Sequence, residues 1–416
     1  MTPQPHLART LKLNDAVFIG IGSMLGAGVF TVFTPAAHYA GPFLLIAVAL
    51  AAIVALTNAL STAQLAISYP QAGGTYVYGR KLLNPTTGFI AGWGFVVGKT
   101  ASTAAIALTF SAYAAPQGYH KLVAVAAVCI VTIINIRGVT RTARATKILV
   151  IPVLSVFAVL FALASTQWNT APHTVFETPT THSINILTAT GLLFFAFAGY
   201  ARIATLAEEV AAPRRTIPKA IMIALLTVLS IYVALTLCLT HFLPHHTLAT
   251  AHAPLLDLAQ ALNASWLSLP LTAAAALATL GALLTLMSGI SRTALAMARD
   301  RELPHTFAAL TSRWQTPARA EIFIAACSIT LILTTDVTQT IGISSMGVLI
   351  YYAIAHLSAL QQPREQRIIP RIISACGGIA CLILAFSVPL QSLIFGATTI
   401  IAGLTLRALM RHRLRA

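Results

Sequence analysis

The sequence predicts an all-α integral membrane protein with about twelve transmembrane helices. Three observations carry that expectation. First, 57% of the 416 residues are hydrophobic and only 9% are charged, against about 25% charged in soluble domains. Second, apolar runs of about 20 residues, enough to cross a bilayer, follow one another with short polar connections. Third, the 26 lysines and arginines are distributed unevenly: all but Lys99, Lys121 and Arg202 gather in one set of alternate loops. Such loops are the cytoplasmic ones.

Taken in order, the spans lie near 16–38, 43–67, 88–113, 122–136, 148–166, 185–206, 220–242, 266–290, 320–335, 341–359, 372–388 and 392–409. The fourth and ninth are short and are expected to extend into their flanks. Residues 1–15 form a cytoplasmic N-terminal segment. A first five-helix repeat covers 16–166, a second covers 185–359, and two additional helices follow over 372–409. An even number of spans places both termini in the cytoplasm. The segment around His6, Arg9 and Lys12 carries no small-residue cleavage site, so no signal peptide is expected.

A net charge of +16 raises the question of a nucleic-acid partner. The basic residues sit between apolar runs and never form one stripe, which is a topology signal and not a nucleic-acid footprint. Cys129, Cys238, Cys327, Cys376 and Cys381 lie in apolar segments without paired spacing and read as small buried hydrophobes. The outward loops hold His173, His182, His245, His246 and His252. A metal or pH-sensing site would want ligand spacing or nearby acids; without either, solvated loop residues are the favoured reading. No metal and no cofactor is expected.

The first span contains Ile19-Gly-Ile-Gly-Ser-Met-Leu-Gly-Ala-Gly-Val-Phe30. Each helical glycine costs roughly 1 kcal/mol relative to alanine. Four of them (Gly20, Gly22, Gly26, Gly28) imply close helix packing or a broken helix. A dinucleotide fingerprint would need a preceding strand in a soluble βαβ unit, and Gly22-x-x-x-Gly26 alone fits a packing motif. The second interrupted segment, Phe194-Phe-Ala-Phe-Ala-Gly-Tyr200, favours the break. Interrupted helices at matching places in two halves mark a binding site at a repeat interface. Spans one to five and six to ten would then be inverted repeats. Amides freed at such a break hold a carboxylate and freed carbonyls hold an ammonium, which suits a zwitterionic amino acid.

These motifs resemble the amino acid–polyamine–organocation (APC) superfamily of amino acid permeases. Gly26-Ala-Gly28-Val-Phe30 is similar to the family's first helix. Tyr69-Pro-Gln-Ala-Gly-Gly-Thr-Tyr-Val-Tyr78 resembles its Pro-x-x-Gly-Gly-x-Tyr-x-Tyr segment after helix two, and Gly88-Phe-Ile-Ala-Gly-Trp93 the start of helix three. Phe197-Ala-Gly199-Tyr200 through Glu209, with Pro213 to Pro218, resembles helix six and its exit loop. Ser291 to Asp300, then Leu303-Pro304, resembles the end of helix eight. The resemblance runs in order from residue 14 to about 360. It implies a five-plus-five inverted-repeat fold with helices one and six unwound at mid-membrane. It also implies that the amides of Gly26, Ala27 and Gly28 take the substrate carboxylate. The carbonyls of Met24, Phe195 and Ala198 would take the amino group, with Phe195 as aromatic gate and Tyr200 in the substrate site.

Lys99 lies deep in span three, where a cation costs about 2.5–3.5 kcal/mol to insert and normally faces the bundle interior. Some family members carry a lysine on helix five in place of a sodium ion; that position here is Val153. Lys99 is therefore the candidate for coupling to a proton, against a structural lysine bonded to carbonyls. Arg202 could contact substrate or pair with Glu209. Glu208, Glu209 and Arg214 are candidates for a cytoplasmic gate or loop brace. Ser288 and Ser291 on helix eight could form a sodium site, although such hydroxyls more often bond their own helix. Gln64 stands where the family often has glutamate on helix two. With Asp15, Glu208, Glu321 and Asp336 all near span ends, neutral amino acids are the favoured substrates. The function expected is secondary active transport of amino acids by alternating access, proton-coupled or by exchange. No Ser/His/Asp arrangement or nucleotide loop supports an enzyme. The rivals are a polyamine or organic-cation carrier, and a non-transporting sensor or channel.

Overall fold

The structure, a computed structural model, describes residues 11–26, 28–69, 73–138, 143–169, 183–200, 203 and 210–413. Eight helices among them are long and apolar enough to cross a membrane, and shorter apolar helices stand beside them. The chain is thus an all-helical, multi-pass membrane protein.

The first span is not one helix. Helix α1 (Leu13–Met24) starts where the Asp15 carboxylate accepts the Lys12 amide at 3.0 Å. It ends at Met24. Helices α2 (Gly28–Thr31) and α3 (Phe33–Ala40) resume the path. Val32 joins them, donating its N–H to Gly28 and accepting that of Ala36, so 28–40 is effectively one half-helix. Gly41, at φ +54° and followed by Pro42, turns the chain into α4 (Leu44–Ser68). A side chain at that φ is strained, and proline cannot continue a helix ladder.

Helix α5 (Thr75–Leu82) is a short connector, and α6 (Pro85–Ala114) is capped by Asn84, whose Oδ1 accepts the Thr87 amide at 2.8 Å. Next come α7 (His120–Ile136), α8 (Ala143–Gln167), α9 (Ser183–Phe197) and α10 (Pro213–Phe242). Two short helices, α11 (His245–Thr250) and α12 (Pro254–Ala261), precede α13 (Ser268–Arg299) and α14 (Ala318–Thr334). The chain ends with α15 (Val337–Gln361), α16 (Arg371–Phe386) and α17 (Leu390–Arg413). The fourth and ninth spans remain helices of 17 residues, about 26 Å long. Proline and glycine turns stop them from growing much into their flanks.

Helices α6 and α15 form the interior of the bundle. Their apolar windows are 72% and 83% buried, against 17% for α17. Glycine permits the intimacy of the two inner helices. A methyl built on Gly347 would lie 2.6 Å from the Gly94 carbonyl, and one on Gly98 would lie 3.0 Å from that of Ser344. Ser102 and Ser344 then share a hydrogen bond of 2.6 Å one turn along. Small residues with an interhelical hydroxyl pair are what holds helices together in lipid, where apolar burial alone gives no preference. The cysteines depart from the expectation: Cys238 and Cys381 are buried, but Cys129 and Cys376 are exposed on helix surfaces, where the surroundings of a membrane helix are apolar too.

Candidate functional site: where two interrupted helices meet

Helix α9 stops at Phe197, and Ala198 to Tyr200 form a turn. This turn packs against the end of α1. A Cβ on Gly199 would lie 2.6 Å from the Met24 amide nitrogen and closer still to the Ser23 carbonyl. A Cβ on Gly28 would lie 2.5 Å from Ala196 Cα. The two interruptions therefore touch backbone to backbone, and glycine is required on both sides. Gly26 meets α13 instead, with its added Cβ 2.7 Å from that of Ala282.

The hydrogen bonding of this crossing is incomplete. Among the described residues no acceptor takes the amide N–H of Gly26 or Gly28. Gly28 also begins the 28–40 half-helix, so its amide sits at the positive end of that dipole. The carbonyls are better satisfied. Tyr232 of α10, fully buried, places its hydroxyl 2.8 Å from the Met24 carbonyl and 3.1 Å from that of Ala196. The Phe195 carbonyl receives the Ala198 amide at 3.4 Å. Tyr232 is a residue that sequence reasoning passed over; a lone tyrosine in the apolar run of α10 is the only local signal.

The three phenylalanines of α9 have separate surroundings. Phe194 is buried edge-on against Tyr352, and Phe197 against Tyr232. Phe195 alone keeps partial exposure, among Ala105, Ile341 and Tyr39. Tyr200 is completely buried and stacks on Tyr352 with ring centroids 5.5 Å apart. It faces α4 and α15, away from the amides of Gly26 and Gly28. Ala27, Arg202, Glu208 and Glu209 lie outside the described residues, as do His173 and His182.

A small cavity of about 50 Å³ adjoins the crossing, between α1, α8 and α13. Its wall includes Gly22 and Ser23, Val153 and Thr285. The helix-eight hydroxyl on this wall is Thr285, not Ser288. Thr285 bonds back to the carbonyls of Gly281 and Ala282. Ser291 instead donates to Glu321 at 3.0 Å, and its neighbour Ser288 offers only a carbonyl to that hydroxyl. Glu321 is 2% exposed, with its second oxygen unpartnered. It lies near the start of α14 but is not solvated, which its position in the sequence hid.

Lys99 is partly accessible in the middle of α6. Among the described residues no carboxylate pairs with it. It lies one turn from Phe95, whose ring packs on Tyr351, and from Ser102, which bonds Ser344. Residues three and four apart share a helix face, so Lys99 is on the side of α6 turned toward α15. Gln64 has a bracing role. Its Oε1 accepts the amides of Ile368 and Ile369, and its Nε2 donates to Gln362 at 2.7 Å.

At the cationic end, the ion pair found is Asp15–Lys147, 2.7 Å apart, tying α1 to α8. Leu11 pairs with Val210 as an isolated bridge. Arg214 is exposed at the start of α10. A second cluster centres on Glu302, 2% exposed, which is engaged by Arg80, Arg407 and Arg411. Burial alone would raise the Glu302 carboxyl, but hydrogen bonds and charge from Arg407, with Arg411 and Arg80, hold it below the usual carboxylate range. Elsewhere, His245 lies 3.0 Å from the Ala37 carbonyl and His252 stacks on His120. Among the described residues no three metal-ligating side chains converge.

The two interrupted helices of this multi-pass helical protein thus meet backbone to backbone, with no described acceptor on the amides of Gly26 and Gly28. The family model described as "Amino acid permease" matches residues 11–404, and the chain belongs to this family of the APC superfamily. It is a transporter-family protein and not an enzyme. The chain is 46% identical over 413 residues to an "uncharacterized transporter" of Mycobacterium tuberculosis, covering 99% of this chain and 94% of that one. It is 25% identical over 397 residues to the branched-chain amino acid permease BcaP of Bacillus subtilis, covering 90% and 85%. It is 28% identical over 385 residues to the vacuolar cationic amino acid transporter 2 of Arabidopsis thaliana, covering 85% of this chain and 60% of that one.

Proposed function

We propose that the protein is a secondary active transporter of neutral amino acids across the cytoplasmic membrane, working by alternating access. The observation that supports this best is the backbone crossing of the α1–α2 and α9 interruptions, with no acceptor for the amides of Gly26 and Gly28 among the described residues. Gly26, Ala27 and Gly28 would bind the carboxylate at the N-terminus of the 28–40 half-helix. The carbonyls of Met24, Phe195 and Ala198 would receive the ammonium. The Met24 carbonyl already accepts from Tyr232, so the tyrosine hydroxyl takes one of the two lone-pair positions a substrate donor would compete for. Phe195, partly accessible beside the crossing, would cover the substrate side chain. Tyr200 would act from the far side of the turn through Tyr352.

The reading includes twelve spans in a five-plus-five inverted repeat, with both termini cytoplasmic. Neutral substrates follow from the placement of acids. Among the described residues, Asp15 and Glu302 are paired with cations and Glu321 lies at the α13–α14 contact. None stands at the crossing to receive a cationic side chain. The branched-chain permease among the relatives agrees with this; the cationic transporter is the rival precedent. Asp15–Lys147 would be the cytoplasmic latch, joined by Glu208, Glu209 and Arg214 from the exit of helix six. Lys99 would supply a cation near the site for coupling to a proton; Ser288 and Arg202 are the other coupling candidates.

Purified protein in liposomes tests this. Labelled amino acids are offered under a proton gradient, a sodium gradient, or preloaded amino acid. Uptake or exchange of a neutral amino acid is expected. Failure of every amino acid and amine under all three drives refutes the transporter reading. Lys99→Met and Lys99→Ala should alter rate or pH dependence; unchanged values remove Lys99 from coupling.

A further inference from the structure

A second polar centre lies on the opposite face of the α9 turn, between α4, α15 and α16. At its middle is His356, wholly buried in α15. Its Nε2 lies 2.6 Å from Asn58 Oδ1 and its Nδ1 lies 2.9 Å from Ser61 Oγ. Ser61 in turn reaches Ser374 Oγ at 3.0 Å. Cys381 also donates to Asn58 Oδ1, at 3.0 Å. The imidazole fits because α16 has two glycines in succession. A Cβ on Gly377 would lie 2.5 Å from His356 Nε2, and one on Gly378 would lie 3.3 Å from its Cβ. Two adjacent glycines weaken a helix; here they open a slot for a ring.

We propose that His356 is a proton-loading site that couples proton movement to the break in α9. The inference rests on the reading of the chain as a transporter. An ionisable side chain inside a membrane bundle is costly and marks ion pathways more often than packing. Histidine is the side chain whose charge ordinarily changes near neutral pH.

The hydrogen bonds accommodate both protonation states. Asn58 Oδ1 can only accept, so Nε2 carries a hydrogen in either state. In the neutral ring Nδ1 accepts from Ser61, which accepts from Ser374. When a proton from the aqueous side forms the Nδ1–H bond, that bond donates to Ser61 Oγ, and the Ser61 hydrogen turns to Ser374. Two hydroxyl rotations suffice, and no heavy atom need move. Release of that proton to the other aqueous side restores the neutral chain.

The link to the break runs through Asn58 and Tyr200. Asn58 Nδ2 and the Tyr200 hydroxyl are both buried, and neither makes a hydrogen bond of good geometry. They are nonetheless in electrostatic reach of each other, and Tyr352 and Cys381 act on the same hydroxyl. Tyr200 directly follows Gly199, which rests on Ser23 and Met24. A substrate that reshapes this turn would move Tyr200 against Asn58 and so change what His356 bonds. The titratable groups around this centre are Cys381 from α16, which shares Asn58 Oδ1 with the ring, Tyr352 one turn earlier on its own helix, and Tyr200, which stacks on Tyr352. From α4 come only Asn58, Ser61 and Thr57. Among the described residues no carboxylate, lysine or arginine faces it.

The test uses wild-type protein and H356Q in liposomes, with the labelled amino acid that the wild type exchanges best. Counterflow against preloaded amino acid tests transport alone; uptake driven by a proton gradient tests coupling. H356Q should keep counterflow within about twofold and lose proton-driven accumulation, which a one-unit gradient supports to about tenfold per proton. Its counterflow should also be flat between pH 5 and 8, the range over which an ordinary imidazole titrates. Proton-driven accumulation by H356Q equal to wild type overturns the proposal. A wild type that exchanges but ignores the proton gradient also overturns it, while leaving the transporter reading standing. Should H356Q fail in both assays, Ser61→Ala decides. It removes the hydroxyl on Nδ1 and spares the ring, so the pH profile of proton-driven uptake should shift by about half a unit or more. A profile superimposable on wild type overturns the proposal.

Discussion

Gly199→Ala probes the helix crossing most directly. The added methyl would lie 2.6 Å from the Met24 nitrogen and nearer to the Ser23 carbonyl. Comfortable contact with heavy atoms lies near 3.5 Å, so the α1 end and the α9 turn must separate by about 1 Å. Both obstructing groups are backbone, and neither can rotate away. Overpacking costs about 1–3 kcal/mol, and this site should fall at the upper end. If the crossing holds the substrate, a loss of about 3 kcal/mol weakens binding by about 100-fold. Binding of the transported amino acid by calorimetry, together with thermal unfolding in detergent, measures both effects. Gly191→Ala, two turns earlier in α9, is the control. Its Cβ would meet the Leu384 carbonyl at 3.3 Å and Val388 Cγ1 at an ordinary 3.6 Å, and the helix-propensity gain of about 1 kcal/mol offsets the closer contact. Wild-type affinity and melting temperature in Gly199→Ala would refute the close crossing.

Other outcomes follow from the same geometry. Tyr232→Phe removes the donor to the Met24 and Ala196 carbonyls, and should destabilise the protein by about 1–3 kcal/mol, read as a lower melting temperature. Substrate should restore part of that loss, because its ammonium can replace the hydroxyl. Asp15→Asn breaks the pair with Lys147, whose side chains are 22% and 34% exposed. Such a pair is worth at most about 1 kcal/mol, so the conformational balance should shift by no more than about fivefold, measured by cysteine labelling from the cytoplasmic side. Glu302 is depressed when folded. Its contribution to stability is therefore present above the unfolded-state value and lost as pH falls through the lower folded one. Glu302→Gln should destabilise at neutral pH and remove that part of the acid-induced fall in melting temperature.

What was legible in the sequence was local. The interruptions could be read because glycine removes helix stability wherever it stands. What was hidden depends on helix crossings. Gln64 finds Gln362, and His356 finds Asn58, each across 298 residues; no spacing rule encodes either pair. Glu302 reads as one charge in a basic loop until the fold brings Arg407 to it. Lys147 reads as one more cytoplasmic cation until α8 lies beside α1. Thr285 rather than Ser288 reaches the cavity wall because Ser288, on the same face of α13, lies about 4.5 Å farther along the axis than the wall formed by Ala278, Ala282 and Thr285.

The two halves of the first span are held very unequally, and this bears on how the proposed cycle would run. In the 28–40 half, Val29, Phe30, Val32, Phe33, Ala36, Ala37 and Ala40 are all fully buried. Tyr113 fastens this half by donating to the Phe30 carbonyl at 2.8 Å. The other half, α1, buries Ala16, Ile21 and Met24 but leaves Val17, Phe18 and Ile19 partly exposed. Its ties at the cationic end are one half-exposed ion pair and the Leu11–Val210 bridge. Between the halves lie Gly26 and Gly28, where no described hydrogen bond resists rotation. Moving the 28–40 half would forfeit several buried side chains, each worth about 1.5–3 kcal/mol. Moving α1 would forfeit the burial of fewer large side chains (Ile21, Met24 and Leu25), about 1 kcal/mol of ion pairing and the Tyr232 bond that substrate can replace. The cheaper opening is therefore at the cationic end, hinged at the glycines and released when the ligand competes for Met24.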